Sequence, residues 1–119
     1  MIVLIVDDDS VARILLRHLV TRKGLDAIEA EDGDEALEVL AGERVDLIVS
    51  DQNMPNMSGL ELRSILGVDC TVPFVLLTGH AERGELADLP GFDLVDAFLT
   101  KPVASSQFDE LLDRYAPEL

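Results

Sequence analysis

The sequence predicts an α/β fold: a three-layer, doubly wound, open parallel sheet of five strands with helices on both faces. Three observations carry that expectation. Short, nearly continuous apolar runs stand at 2–6 (IVLIV), 46–50 (DLIVS) and 73–78 (PFVLLT), the pattern of strands buried on both faces. Two further runs mix polar residues into the apolar pattern, as edge strands do. Segments with helical spacing separate the runs, so strand and helix alternate five times, and right-handed crossovers leave few other topologies for such units.

Taken in order, the first strand, Ile2–Val6, is too short for a secretory signal, lacks a basic start and runs into Asp7, Asp8 and Asp9. In the first helix, Val11, Ile14, Leu15 and Leu19 follow the 3.6-residue period behind Ser10, a candidate cap, with Asp9 a second cap on the solvent side. Leu25–Ala30 is the first edge strand. Asp32-Gly-Asp-Glu35 resembles a capping box ahead of Ala36, Leu37 and Leu40. After the strand at 46–50, Gly59 precedes a shorter helix with Leu62, Ile65 and Leu66 on one face. The stretch Ala81–Asp88 is the weakest helix, because Gly84 interrupts it and Pro90-Gly91 stops it. Leu94–Leu99 is the other edge strand, and Phe108, Leu111, Leu112 and Tyr115 make a last apolar face behind Ser105 and Ser106.

A chain of 119 residues is expected to form one compact domain over 1–119, with no room for a second module. With 24 acidic against 9 basic residues the net charge is −15, a field that repels nucleic acid and anionic membranes, so neither is expected as a direct partner. Cys70 is the lone cysteine and cannot pair within the chain, which together with the missing signal places the expected location in the cytoplasm.

The chemistry is expected at the strand ends. The first apolar strand terminates in Asp7 and Asp8, the second in Asp51 and the third in Thr78, and Lys101-Pro102 follows the fifth. In open parallel sheets the ligand crevice lies outside those carboxyl ends, where strand order reverses. Three carboxylates in one crevice repel one another unless a cation sits among them, and magnesium prefers hard oxygen ligands shared with phosphate. A carboxylate beside such an ion can attack phosphorus, the product's oxygens being neutralised by metal, ammonium and hydroxyl. Asp51, Lys101 and Thr78 fit those roles.

Val6-Asp-Asp8, Asp51-Gln-Asn-Met-Pro-Asn-Met-Ser-Gly59, Leu77-Thr78 and Leu99-Thr-Lys-Pro102 stand in an order and spacing that resembles the receiver domain of two-component response regulators over essentially the whole chain. The resemblance implies the flavodoxin-like fold with strand order 2-1-3-4-5. It implies that Asp51 accepts a phosphoryl group, from a sensor histidine kinase or a phosphotransfer protein. It further implies that Mg2+ is held by Asp8, Asp51 and the backbone carbonyl of Asn53, with Asp7 acting through water, and that Thr78 and Lys101 meet the phosphoryl oxygens. Phe98 stands where the family keeps an aromatic switch residue, which with Thr78 would reshape the face of the fourth helix, fifth strand and fifth helix toward a downstream protein or output domain. Asn53 and His80 border the path of the hydrolytic water and are expected to tune phosphate lifetime.

The resemblance thus implies a signalling switch, not an enzyme beyond its own phosphotransfer and autodephosphorylation. Gly79 stands where alanine is usual, and the fourth helix is broken, so the output face is unusual. The fifth-helix sequence Ser105–Glu110 does not resemble the charged pattern of receivers that dimerise through this face, and a mostly monomeric unphosphorylated state is expected. One alternative is an aspartate-nucleophile phosphohydrolase of the haloacid-dehalogenase kind, but that class wants an acid at the position of Asn53 and a cap this length does not accommodate. The other is a constitutive interaction module, against which the retained acids and lysine argue.

Overall fold

In the computed structural model, which describes residues 1–79 and 82–116, the strands are β1 (Ile2–Val6), β2 (Asp26–Ala30), β3 (Leu47–Asp51), β4 (Phe74–Thr78) and β5 (Ala97–Thr100). The helices are α1 (Ser10–Arg22), α2 (Gly33–Gly42), α3 (Gly59–Leu66), α4 (Glu82–Leu86) and α5 (Ser105–Tyr115), with a 3-10 turn at Phe92–Leu94. All neighbouring strands are parallel and their order is β2-β1-β3-β4-β5, as expected, with the two mixed runs at the edges.

Alternate residues of the central strands feed two cores, which is why those strands read as continuous apolar runs. Val3, Ile5, Leu47, Val49, Val75 and Leu77 pack with Leu16, Leu19 and Val20 of α1 and Phe108, Leu111 and Leu112 of α5. Leu4, Val6, Ile48, Phe74 and Leu76 face the opposite way, toward Ala36 of α2, Leu60 and Leu62 of α3 and Leu86 of α4. Burying a side chain the size of Phe74 is worth about 1.5–3 kcal/mol, so these two layers dominate the stability.

Several local expectations are corrected. On α1 only Leu19 of the expected apolar face is buried; Val11, Ile14 and Leu15 are 73%, 62% and 55% exposed. Apolar residues ring most of this helix; Leu16, Leu19 and Val20 are the ones that enter the core with β1, β3 and α5, while Arg13 and Arg17 reach Glu29 of β2 and Arg22 and Lys23 reach Asp109 and Asp113 of α5. The cap is Asp9, which accepts from Val11 N, and Ser10 is the first helical residue. At α2 Asp32 accepts from Glu35 N at 2.8 Å, but the reciprocal capping box belongs to α3, where Ser58 and Glu61 cap each other. The fifth helix is capped by neither Ser105 nor Ser106; Ala104 precedes it with no side-chain hydrogen bond. β5 starts three residues later than expected because Phe92–Leu94 closes a 3-10 turn.

Candidate functional site

The hydrogen-bond ladder runs one step past β1, β3 and β5 and so fixes how these site loops leave the sheet. Asp7 N donates to Ala30 O at 3.1 Å, Gln52 N to Leu77 O at 3.0 Å and Lys101 N to Thr78 O at 2.8 Å. β1 and β3 are the central pair from which the chain winds outward in both directions, so Asp7 and Asp51 stand at the topological switch point. Gly59 closes the loop behind Asp51: a Cβ there would lie 2.6 Å from Asp51 O and 2.5 Å from Leu76 Cδ1, so only glycine fits.

The structure brings Asp7, Asp8 and Asp51 together, with carboxylate oxygens within 4.8 Å of one another. Asp7 and Asp51 are buried and Asp8 is exposed at the mouth. Lys101 Nζ lies 2.8 Å from Asp51 Oδ2 and 3.6 Å from Asp7 Oδ2. The Lys101–Pro102 peptide is cis. Burial pushes the Asp7 carboxyl above its ordinary value; the amide of Asp9, donating at 2.9 Å, pulls it down, and the charge of Asp51 pushes it up again. Burial works to lower the Lys101 ammonium, but its contacts with Asp51 and Asp7 outweigh it and hold its pKa raised.

Asp7 Oδ2 is buried without a hydrogen-bond partner. Three carboxylates face one ammonium, and this orphaned oxygen looks into their midst, so the donor set fits a hard divalent cation. Asn53 belongs to the same rim: its N donates to Asp51 Oδ1 at 3.4 Å and its Nδ2 to Glu82 Oε2 at 2.8 Å. Thr78 is buried at the end of β4, one strand over from Asp51. Phe98 is not drawn into the acidic cluster; its ring lies on the α3 side of the sheet, 5.0 Å from the Phe92 ring and under the Arg83 guanidinium at 4.2 Å. His80 falls outside the described residues.

Four supporting residues carry no signal in the sequence. Arg13 NH1 donates to Asp7 O at 2.7 Å, and Gln52 Oε1 accepts from Leu60 N at 2.9 Å. Glu82 holds Asn53 and Gly79, and Arg63 is buried against the carbonyls of Gly67, Cys70 and Leu94. Most of these partners lie six or more positions away, beyond any local pattern.

A family model described as "Response regulator receiver domain" matches residues 3–113. The transcriptional regulatory protein GlrR of Escherichia coli (strain K12) is 37% identical over 121 residues, covering 96% of this chain and 27% of that protein. The response regulator MprA of Mycobacterium tuberculosis is 37% identical over 114 residues, covering 94% and 47%. The chain therefore spans about a quarter to a half the length of these relatives. Among solved structures, the response regulator protein TrrA of Thermotoga maritima in complex with Mg(2+)-BeF gives a TM-score of 0.86 at 27% identity, covering 97% of this chain and 98% of that one. The chemotaxis response regulator CheY4 of Vibrio cholerae gives 0.84 at 28% identity, covering 97% and 98%. Receiver domains are signalling switches rather than conventional enzymes, and nothing among these relatives supports the phosphohydrolase alternative. With its parallel sheet, its acidic cluster and a family match over residues 3–113, the chain belongs to the response regulator receiver domain family.

Proposed function

We infer that this chain is a phosphorylation-controlled switch in which Asp51 accepts a phosphoryl group from a histidine kinase or phosphotransfer protein. The observation that carries the reading is the placement of Lys101 Nζ 2.8 Å from Asp51 Oδ2, inside a cluster of three carboxylates. In the transfer, a carboxylate oxygen of Asp51 forms the bond to phosphorus as the donor's phosphorus–nitrogen bond breaks, leaving an acyl phosphate and a neutral imidazole. Asp8, Asp51 and the carbonyl of Asn53 would hold Mg2+, with Asp7 behind them, and the ion supplies charge neutralisation for the phosphoryl oxygens. The Mg(2+)-BeF complex of the Thermotoga relative supports that assignment. Lys101 neutralises a further oxygen, and Thr78, one strand over, donates its hydroxyl to another.

The acyl phosphate is removed by water, and Asn53 and His80 set how fast. A macromolecular donor must cover the rim of the site, where α1 exposes Val11, Ile14 and Leu15 beside a groove of about 410 Å3 that contains Asp7, Leu15 and Lys101. Movement at Thr78 is passed to Phe98 and to the face of α4, β5 and α5, which meets a downstream protein or output segment. No helix among the described residues is long and apolar enough to cross a membrane, and the −15 net charge of the 119-residue chain opposes direct contact with nucleic acid.

Incubation with acetyl phosphate and magnesium should add one phosphoryl group by intact mass. Asp51→Asn should abolish the addition with the fold unchanged, since the amide is nearly isosteric and relieves repulsion. Full labelling of that variant would overturn the assignment.

A further inference from the structure

Glu82 has a place in the structure that the phosphoryl chemistry leaves unassigned. It opens α4 and is half-buried. Its Oε1 accepts from Gly79 N at 3.0 Å and its Oε2 from Asn53 Nδ2 at 2.8 Å. Gly79 follows Thr78 at the end of β4, and Asn53 lies two residues past Asp51, so one carboxylate ties the two loops that flank the acceptor. The next residue, Arg83, lays its guanidinium 4.2 Å above the Phe98 ring. Glu82 and Arg83 thus join the site to the aromatic residue of β5 through two adjacent side chains.

A carboxylate held by two N–H donors is a bound anion, and such charge-assisted bonds are short and strong. A phosphoryl group on Asp51 would bring a charge of about −1.5 to −2 and three acceptor oxygens between the same loops. Two anions there repel each other and compete for the same donors. We propose that Glu82 is an internal anion that holds the N–H donors of Gly79 and Asn53 until a phosphoryl group on Asp51 displaces it, and that its release lifts Arg83 from Phe98. Glu82 touches no reacting atom and is a positioning residue; the inference rests on the reading of Asp51 as acceptor.

The structure also confines the movement. Among the described residues α4 has five, too few to hold a helix by its own hydrogen bonds, so its first turn moves with Glu82. The segment beyond it is anchored to α3: Gly91 has φ 91° and a Cβ there would lie 2.6 Å from Leu60 O, while Arg63 Nε donates to Leu94 O at 3.2 Å. Phe92 therefore stays while Arg83 leaves.

The test compares wild type with E82Q and E82A, after thermal melts show that both variants fold. Acetyl phosphate with magnesium is the donor; the phosphorus–oxygen bond to acetate breaks as the bond to Asp51 forms, and intact mass reads the rate. E82Q keeps the size and an acceptor oxygen but loses the charge, so it should react about threefold faster than wild type or more, as should E82A. A role as a neutral tether leaves E82Q at the wild-type rate, which overturns the internal-anion role. By NMR the Arg83 Nε–H proton, shielded by the Phe98 ring in the free protein, should lose that shielding when beryllofluoride and magnesium are added. Shielding that persists in the complex overturns the coupling to Phe98. A wild-type chain that gains no mass removes the switch reading and the inference with it, whereas a labelled wild type with unresponsive variants removes the inference alone.

Discussion

The two ends of the sheet carry the same residue type in opposite circumstances. At the amino end, Asp46 Oδ2 accepts from Ile2 N at 2.8 Å and Asp96 Oδ2 from Phe74 N at 2.7 Å, so each carboxylate lashes the start of a neighbouring strand. The amide of Ile2 holds Asp46 below its ordinary value, with burial opposing and Arg44 assisting. At the carboxyl end, Asp7, Asp8 and Asp51 face one another, Asp7 Oδ2 has no donor, and burial pushes the Asp7 carboxyl up. One end spends its charge on holding the strands together, and the other gathers three carboxylates against one ammonium. A parallel sheet makes this difference possible, because all strand starts lie at one end and all strand ends, where the loops diverge at the switch point, lie at the other.

The largest effect that would break this comparison concerns metal. Asp8→Ala should abolish magnesium binding by the unphosphorylated domain, whereas Asp46→Ala should leave it unchanged; calorimetric titration distinguishes them, and retained binding in Asp8→Ala would remove Asp8 from the site.

Next in size are opposite signs in stability. Asp46→Ala should cost about 1–2 kcal/mol, discounted for its partial exposure, because a charge-assisted hydrogen bond to the strand start is lost. Asp7→Asn should instead stabilise the magnesium-free protein by about 1 kcal/mol, since it removes a buried, incompletely paired charge and keeps the oxygen that Asp9 N meets. Urea melts of both variants check this, and a destabilised Asp7→Asn would show that Lys101 already compensates the charge.

The smallest effect is in pH. The depressed carboxyl of Asp46 contributes stability that is present above its unfolded value, near 3.8, and is lost as pH falls through its lower folded value. The raised carboxyl of Asp7 works the other way: its contribution is full below 3.8 and is lost as pH rises through the folded value. The Tm gap between wild type and Asp46→Asn should therefore close below pH 3.8, while the advantage of Asp7→Asn should grow from acid to neutral pH. Parallel pH profiles for the two variants would contradict the difference between the sheet's ends.

Strand identity, the edge positions of the mixed runs and the convergence of Asp7, Asp8, Asp51, Thr78 and Lys101 at one end were legible in the sequence, because burial on both faces forces continuous apolar runs and parallel strands put every carboxyl end on one side. The rotation of α1 was not. Val11, Ile14, Leu15, Leu16, Leu19 and Val20 offer the helix more than one apolar face, and the one that packs, Leu16, Leu19 and Val20, is the one that meets β1, β3 and α5, with ion pairs to Glu29, Asp109 and Asp113 beside it. The same holds for Glu82, Arg63 and Gln52, which bond to groups 3–31 positions away across loops. Periodicity reports which residues leave water, a property each carries locally; which partner a charged or amide group meets depends on how separate elements pack, and that is decided only when the whole sheet is assembled.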